Sequence, residues 1–120
     1  MDERAFVFIE DTDIALTDSM GASNKRIVKA VKKALRENVA YWGEPSFLCA
    51  RIFVIMVDAQ RKSREACQFG ITQWKHADAE LVVAVNCNEQ TIVVSDSRDD
   101  AMIDCSFEEF IALTDEEIGA

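Results

Sequence analysis

Two carboxylates stand where a reacting group could be useful. Asp58 ends the apolar run 47–58, and Asp96 follows the apolar run 91–95. If both runs are strands, each acid falls at a strand end, where α/β enzymes often place reactive groups. Paired carboxylates can hold Mg²⁺, the chemistry of a divalent-metal phosphodiesterase or a nuclease-like enzyme. The companions of such an enzyme are missing. The chain has no Gly-rich phosphate loop, no G-x-S-x-G, no H-E-x-x-H and no H-x-E paired with P-C-x-x-C. Its one histidine, His76, follows Trp74 and Lys75 at the end of an expected helix. With no nucleophile beside it, His76 reads as a cation meeting helix-end carbonyls. Trp42 and Trp74 read as core or interface anchors. The sequence therefore assigns no catalytic residue, no metal and no cofactor.

The four cysteines, Cys49, Cys67, Cys87 and Cys105, are too far apart for a C-x₂-C pair, and one histidine cannot complete a zinc set. The first residues are charged and acidic, unlike a secretory leader. Free thiols and a cytoplasmic location are the expectation. Cys49, inside an apolar run, reads as a small core residue, and Cys67 and Cys105 read the same way. Cys87 lies between two asparagines in an expected turn, which predicts exposure. The longest apolar run is too short to cross a bilayer, so no membrane partner is expected.

Charge is the most informative feature. The formal net charge is −9. Residues 1–20 carry six acids and one base, residues 21–76 eleven bases and four acids, and residues 77–120 twelve acids and one base. Asymmetry of this kind bears on partners and association rates, not on fold. Lys25, Lys29, Lys32 and Arg36 share a stripe on an expected helix, with Arg26 and Lys33 alongside. That stripe could track phosphates, or it could be a solvated outer face. The overall negative charge argues against a nucleic-acid partner. The acids Asp96, Asp99, Asp100, Asp104, Glu108 and Glu109 have Arg98 as the only base among them; they form either a solubilising surface or a candidate docking face for a basic protein.

These groups must be positioned by elements that periodicity suggests. Residues 4–9 alternate as a strand, and residues 14–17 return as a hairpin partner across a polar turn. From 25 to about 41 the period becomes helical, with Ile27, Val31 and Leu35 on one face and Gly43 and Pro45 closing it. Residues 47–58 are apolar at both odd and even positions, which predicts a central strand covered on two sides. Arg51 interrupts it and would need an edge position or an acidic partner. Residues 63–77 suggest a helix, which Gly70 weakens. Residues 81–85 and 91–95 form an expected hairpin, and 101–104 a short strand. Ser106-Phe107-Glu108-Glu109 is a capping box opening a last helix. The pentapeptide Ile-Ala-Leu-Thr-Asp occurs twice, at 14–18 and 111–115, once in an expected strand and once in an expected helix, too briefly to mark a repeat.

The stretch 51–113 resembles restriction-endonuclease-like nucleases in its succession of core strand, helix and two strands. That family holds its metal with an acid-x-Lys pair on the strand. Here Ile55-Met56-Val57-Asp58-Ala59-Gln60 supplies the acid but no lysine two residues on, so the resemblance implies a fold without its active site. The chain thus predicts one α+β domain, 1–120, in the order ββαβαββα. Its sheet is mixed or mostly antiparallel, with about five strands and three helices. The leading expectation is a small non-enzymatic inhibitor of the immunity or phage anti-defence type, docking a basic partner protein. The alternatives are the metal enzyme on Asp58 and Asp96 and a nucleic-acid accessory protein using the basic helix.

Overall fold

The computed structural model describes residues 4–18, 26–61, 69–73, 80–96, 101–114 and 116–118. Strand β1 (Ala5–Ile9) turns into β2 (Ile14–Asp18) with Ile9 opposite Ile14. The four-residue loop between them ends at Asp13, whose φ of 58° is a left-handed conformation that aspartate tolerates better than most residues. The Thr12 hydroxyl donates to the Ile9 carbonyl at 3.0 Å and closes the turn. Helix α1 (Arg26–Glu37) buries Ile27, Val28, Ala30, Val31, Ala34 and Leu35, the face its period predicts. A 3₁₀ turn, Val39–Tyr41, leads on to α2 (Pro45–Arg61). There follow β3 (Phe69–Gln73), β4 (Leu81–Asn86), β5 (Thr91–Asp96), β6 (Ala101–Ser106) and α3 (Phe107–Ala112).

The six strands form one sheet in the order β3-β2-β1-β4-β5-β6. Among the described residues only β1 and β4 pair parallel, and every other neighbour is antiparallel. The architecture is α+β with a mixed sheet and three helices, as the sequence predicts. Val7, Leu16, Val83 and Val94 lie in one row across the sheet and are buried in a common core with Ile27, Val31, Leu35, Ile52 and Phe110 of the helices. Trp42 joins that core as the sequence suggests. Its indole N–H donates to the Leu35 carbonyl at 2.8 Å, and its ring meets Phe107 edge-on at 5.3 Å.

Two elements differ from the sequence expectation, so the order becomes ββααββββα. Residues 47–58 are not a central strand but the body of α2. Its buried residues Leu48, Ile52 and Met56 fall four apart, with Cys49 beside them. A long apolar run is compatible with either period, and length decides: 17 residues is a helix, whereas buried strands run to about eight. Pro45 does not simply end α1. It occupies the first position of α2, where its missing N–H costs nothing. The helix also removes the difficulty of Arg51. On α2 it is exposed, with its guanidinium over the Tyr41 ring at 5.6 Å.

The second correction concerns 63–77, expected as a helix. Within it Phe69–Gln73 is β3, an edge strand on β2, while 62–68 and 74–79 lie outside the described residues. Gly70 sits opposite Thr17, and a Cβ there would stand 2.9 Å from the Thr17 hydroxyl. The glycine marks a close approach in a strand rather than a weak spot in a helix. Without a core strand in 47–58, the succession that resembles restriction-endonuclease-like nucleases is not present.

The sheet and α1 are tied by a buried ion pair. Asp18, at the end of β2, is fully buried and accepts from Arg26 Nε at 2.5 Å and from its terminal nitrogen at 2.6 Å. Arg26 also lies 4.9 Å from the centre of the Phe69 ring.

Candidate functional site

The parallel pairing of β1 with β4 brings three acidic segments to one end of the sheet. Both strands point the same way, with Ile9 opposite Val85. The two hairpin loops that follow them are therefore neighbours. Glu10 N–H donates to the Val85 carbonyl at 3.0 Å, and Cys87 N–H donates to an Asp11 carboxylate oxygen at 3.0 Å. The start of α3 arrives at the same place, because Ser106 lies opposite Thr91 and Phe107 N–H donates to the Gln90 carbonyl at 2.9 Å. Glu10, Asp11, Asp13, Glu89, Asp104, Glu108 and Glu109 are all exposed here. No Lys or Arg stands on the loops 10–13 and 87–90 or on 104–109.

Of the predicted docking residues, Asp104, Glu108 and Glu109 belong to this end. Asp104 faces away from the helices on edge strand β6, in register with Val93. Glu108 and Glu109 form the first turn of α3, where the helix dipole favours negative charge. The predicted capping box is present: Glu109 N–H donates to Ser106 Oγ at 3.1 Å, and Ser106 N–H to a Glu109 carboxylate oxygen at 3.2 Å. Asp96 is not part of the group. It is half-buried at the far end of β5, opposite Leu81. Asp99 and Asp100 lie outside the described residues. Sequence reasoning missed Glu10, Asp11, Asp13 and Glu89. The available signal was an acid in each of two hairpin loops, but only the parallel β1–β4 pairing makes those loops adjacent.

A second charged surface lies on the helices. Lys29 and Lys33 of α1 and Asp58 of α2 line a groove of about 330 Å³ floored by Ala30, Ile55 and Ala59, with Arg26 at one end. Beside it, Lys29, Lys32, Lys33 and Arg36 surround a hollow of about 250 Å³. The predicted stripe is thus not uniform. Lys32 Nζ donates to the Leu113 carbonyl at the end of α3, and Arg26 is held by Asp18. Lys29, Lys33 and Arg36 are exposed and pair with no described carboxylate. Lys25 lies outside the described residues.

Asp58 and Asp96 do not share the setting expected for a metal pair. Asp96 does end a strand, but Asp58 is in the last turns of α2, among cations. Among the described residues no three His, Cys, Asp or Glu side chains are grouped to hold a metal. His76, Trp74 and Cys67 lie outside the described residues. Cys49, Cys87 and Cys105 are free thiols. Cys49 is buried as expected, but Cys87 is buried too, only 2% exposed, which corrects the expectation of a surface thiol. Its turn is tied to the neighbouring loop by the Cys87 N–H that donates to Asp11. Burial and then the neighbouring Asp11 and Cys49 push the Cys87 thiol up to about 11. Burial raises Cys49 and Cys105 as well. These are poor nucleophiles at neutral pH.

No described helix is long and apolar enough to cross a membrane. The chain matches no protein-family model, no curated protein and no solved structure.

Proposed function

We propose that this is a small non-enzymatic binding protein that engages a basic partner protein through the acidic end of its sheet. The carrying observation is the convergence of seven exposed carboxylates, from both hairpin loops and the β6–α3 junction, with no cation on those segments. Such a surface concentrates and steers a basic partner. The clustering is also self-repulsive, which makes a binding partner a natural way to neutralise it. The finer reading is an inhibitor of the immunity or phage anti-defence type, acting in the cytoplasm by covering the basic working surface of its target.

The test uses a partner recovered from the source cells and then purified. Association rates are measured at low and high salt for the wild type and for Glu89→Lys/Asp104→Lys/Glu108→Lys. The triple reversal spares Asp11 and Glu109, which hold backbone N–H groups. It should slow association roughly tenfold or more at low salt, with the difference shrinking as salt screens it at a Debye length of ~8 Å. Its melting temperature should stay close to wild type. Equal rates for the two proteins would refute the proposal.

A further inference from the structure

The groove between α1 and α2 has no part in the acidic-end proposal, and it has the features of a ligand site in its own right. In a chain of net charge −9, Lys29, Lys33 and Arg36 stand together in the open, and Asp58 is the one described carboxylate lining the same groove. Like charges four apart on a helix repel one another, and Lys29, Lys33 and Arg36 outnumber Asp58, so a further anion would relieve the arrangement. The three cations span seven residues, about 10 Å along the helix, enough to meet several linked phosphates. The surface is concave, not a ridge: the groove holds about 330 Å³, at the lower end of the range for small-molecule sites, and the adjoining hollow about 250 Å³. Its floor is apolar, made by Ala30, Ile55 and Ala59. That suits the flat body of a ligand rather than a bare ion.

We infer that this groove binds a compact polyphosphate carrying an apolar or aromatic body, of the nucleoside di- or triphosphate class. Lys29 and Lys33 meet the phosphates as point charges, and Arg36 can fork two hydrogen bonds onto one of them. Ile55 and Ala59 receive the body. A small anion is favoured over a nucleic acid because it lies wholly within the local positive field. A polymer would extend into the field of the acidic remainder of the molecule.

The probes are ATP, inorganic tripolyphosphate, adenosine, inorganic phosphate and a short single-stranded oligonucleotide, titrated calorimetrically at physiological salt. ATP and tripolyphosphate should bind saturably with one site, and adenosine and phosphate roughly tenfold or more weaker. Lys29→Glu/Lys33→Glu, and the milder Lys29→Ala/Lys33→Ala, should lose roughly tenfold or more for both polyphosphates, with each variant's fold checked by its melting curve. Ile55→Gln should weaken ATP and leave tripolyphosphate unchanged, which separates the nucleoside from the inorganic source. Glu89→Lys/Asp104→Lys/Glu108→Lys should bind ATP at least as well as wild type, so failure here is distinguishable from failure of the acidic-end proposal. Three results would overturn the inference. They are no saturable binding of either polyphosphate, undiminished binding in both lysine variants, and retention of the oligonucleotide in preference to ATP.

Discussion

Replacing Arg26 with Met should be among the most damaging single changes to this fold. Asp18 is fully buried, and Arg26 grips it with two hydrogen bonds of 2.5 and 2.6 Å. The arginine is 30% exposed. The two partners are therefore unequal. Removing Arg26 takes the cation away from a carboxylate in the core, and breaking a buried pair in this way costs about 3–5 kcal/mol. It also removes the contact with Phe69, worth about 0.5–1 kcal/mol. Replacing Asp18 with Asn keeps the shape and leaves a cation that can turn to water, so the loss should be roughly 1–2 kcal/mol. In urea, with a slope of about 2 kcal/mol/M, the Arg26→Met midpoint should fall by roughly 2 M and the Asp18→Asn midpoint by less than 1 M. The double variant Asp18→Leu/Arg26→Met removes both charges and should recover most of the Arg26→Met loss. The measurement is equilibrium urea unfolding followed by tryptophan fluorescence and circular dichroism together. An Arg26→Met variant within about 1 kcal/mol of wild type, or one less damaged than Asp18→Asn, would refute the reasoning.

Four further outcomes follow from the structure. Val31 is fully buried on α1, so Val31→Asp should cost several kcal/mol, and a wild-type melting curve would show that the buried face has been misassigned. Ser106→Ala removes the capping box of α3 and should cost about 1 kcal/mol, read as a shift in urea midpoint. Cys87, raised from 9.0 to about 11, is a group whose folded pKa lies above its unfolded one. Its stabilising contribution is whole below pH 9 and is lost as pH rises to 11, about 3 kcal/mol in all at 1.36 kcal/mol per unit. The stability of Cys87→Ala should therefore fall less steeply than wild type across that interval. The same burial predicts that Cys49 and Cys87 react with a thiol reagent slowly when folded and promptly in denaturant, and fast reaction of either in the native protein would contradict it.

Local chemistry alone determined a large part of this structure. Alternating residues and polar loops specify the β1–β2 and β4–β5 hairpins, because a period of two puts one face of each strand in the core. The 3.6-residue period of α1 and the reciprocal Ser106–Glu109 cap are likewise written within a few residues of sequence. Tertiary structure decided the rest where local preference was ambiguous. Residues 47–58 are apolar enough to satisfy either period; the length of the element, with Leu48, Ile52 and Met56 buried four apart in the common core, goes with the helix. The repeated pentapeptide makes the same point. Its first copy is β2, paired on both sides, while in the second copy Ile111 and Ala112 end α3 and Leu113 is already extended. The acidic end of the sheet is the most non-local feature of all. Blocks of charge along the chain showed that acids were abundant. Hydrogen bonds from Glu10 to Val85 and from Phe107 to Gln90, between segments far apart in sequence, bring those acids to one end of the sheet. Pairing of distant strands depends on what each must bury, and no short window of sequence contains that information.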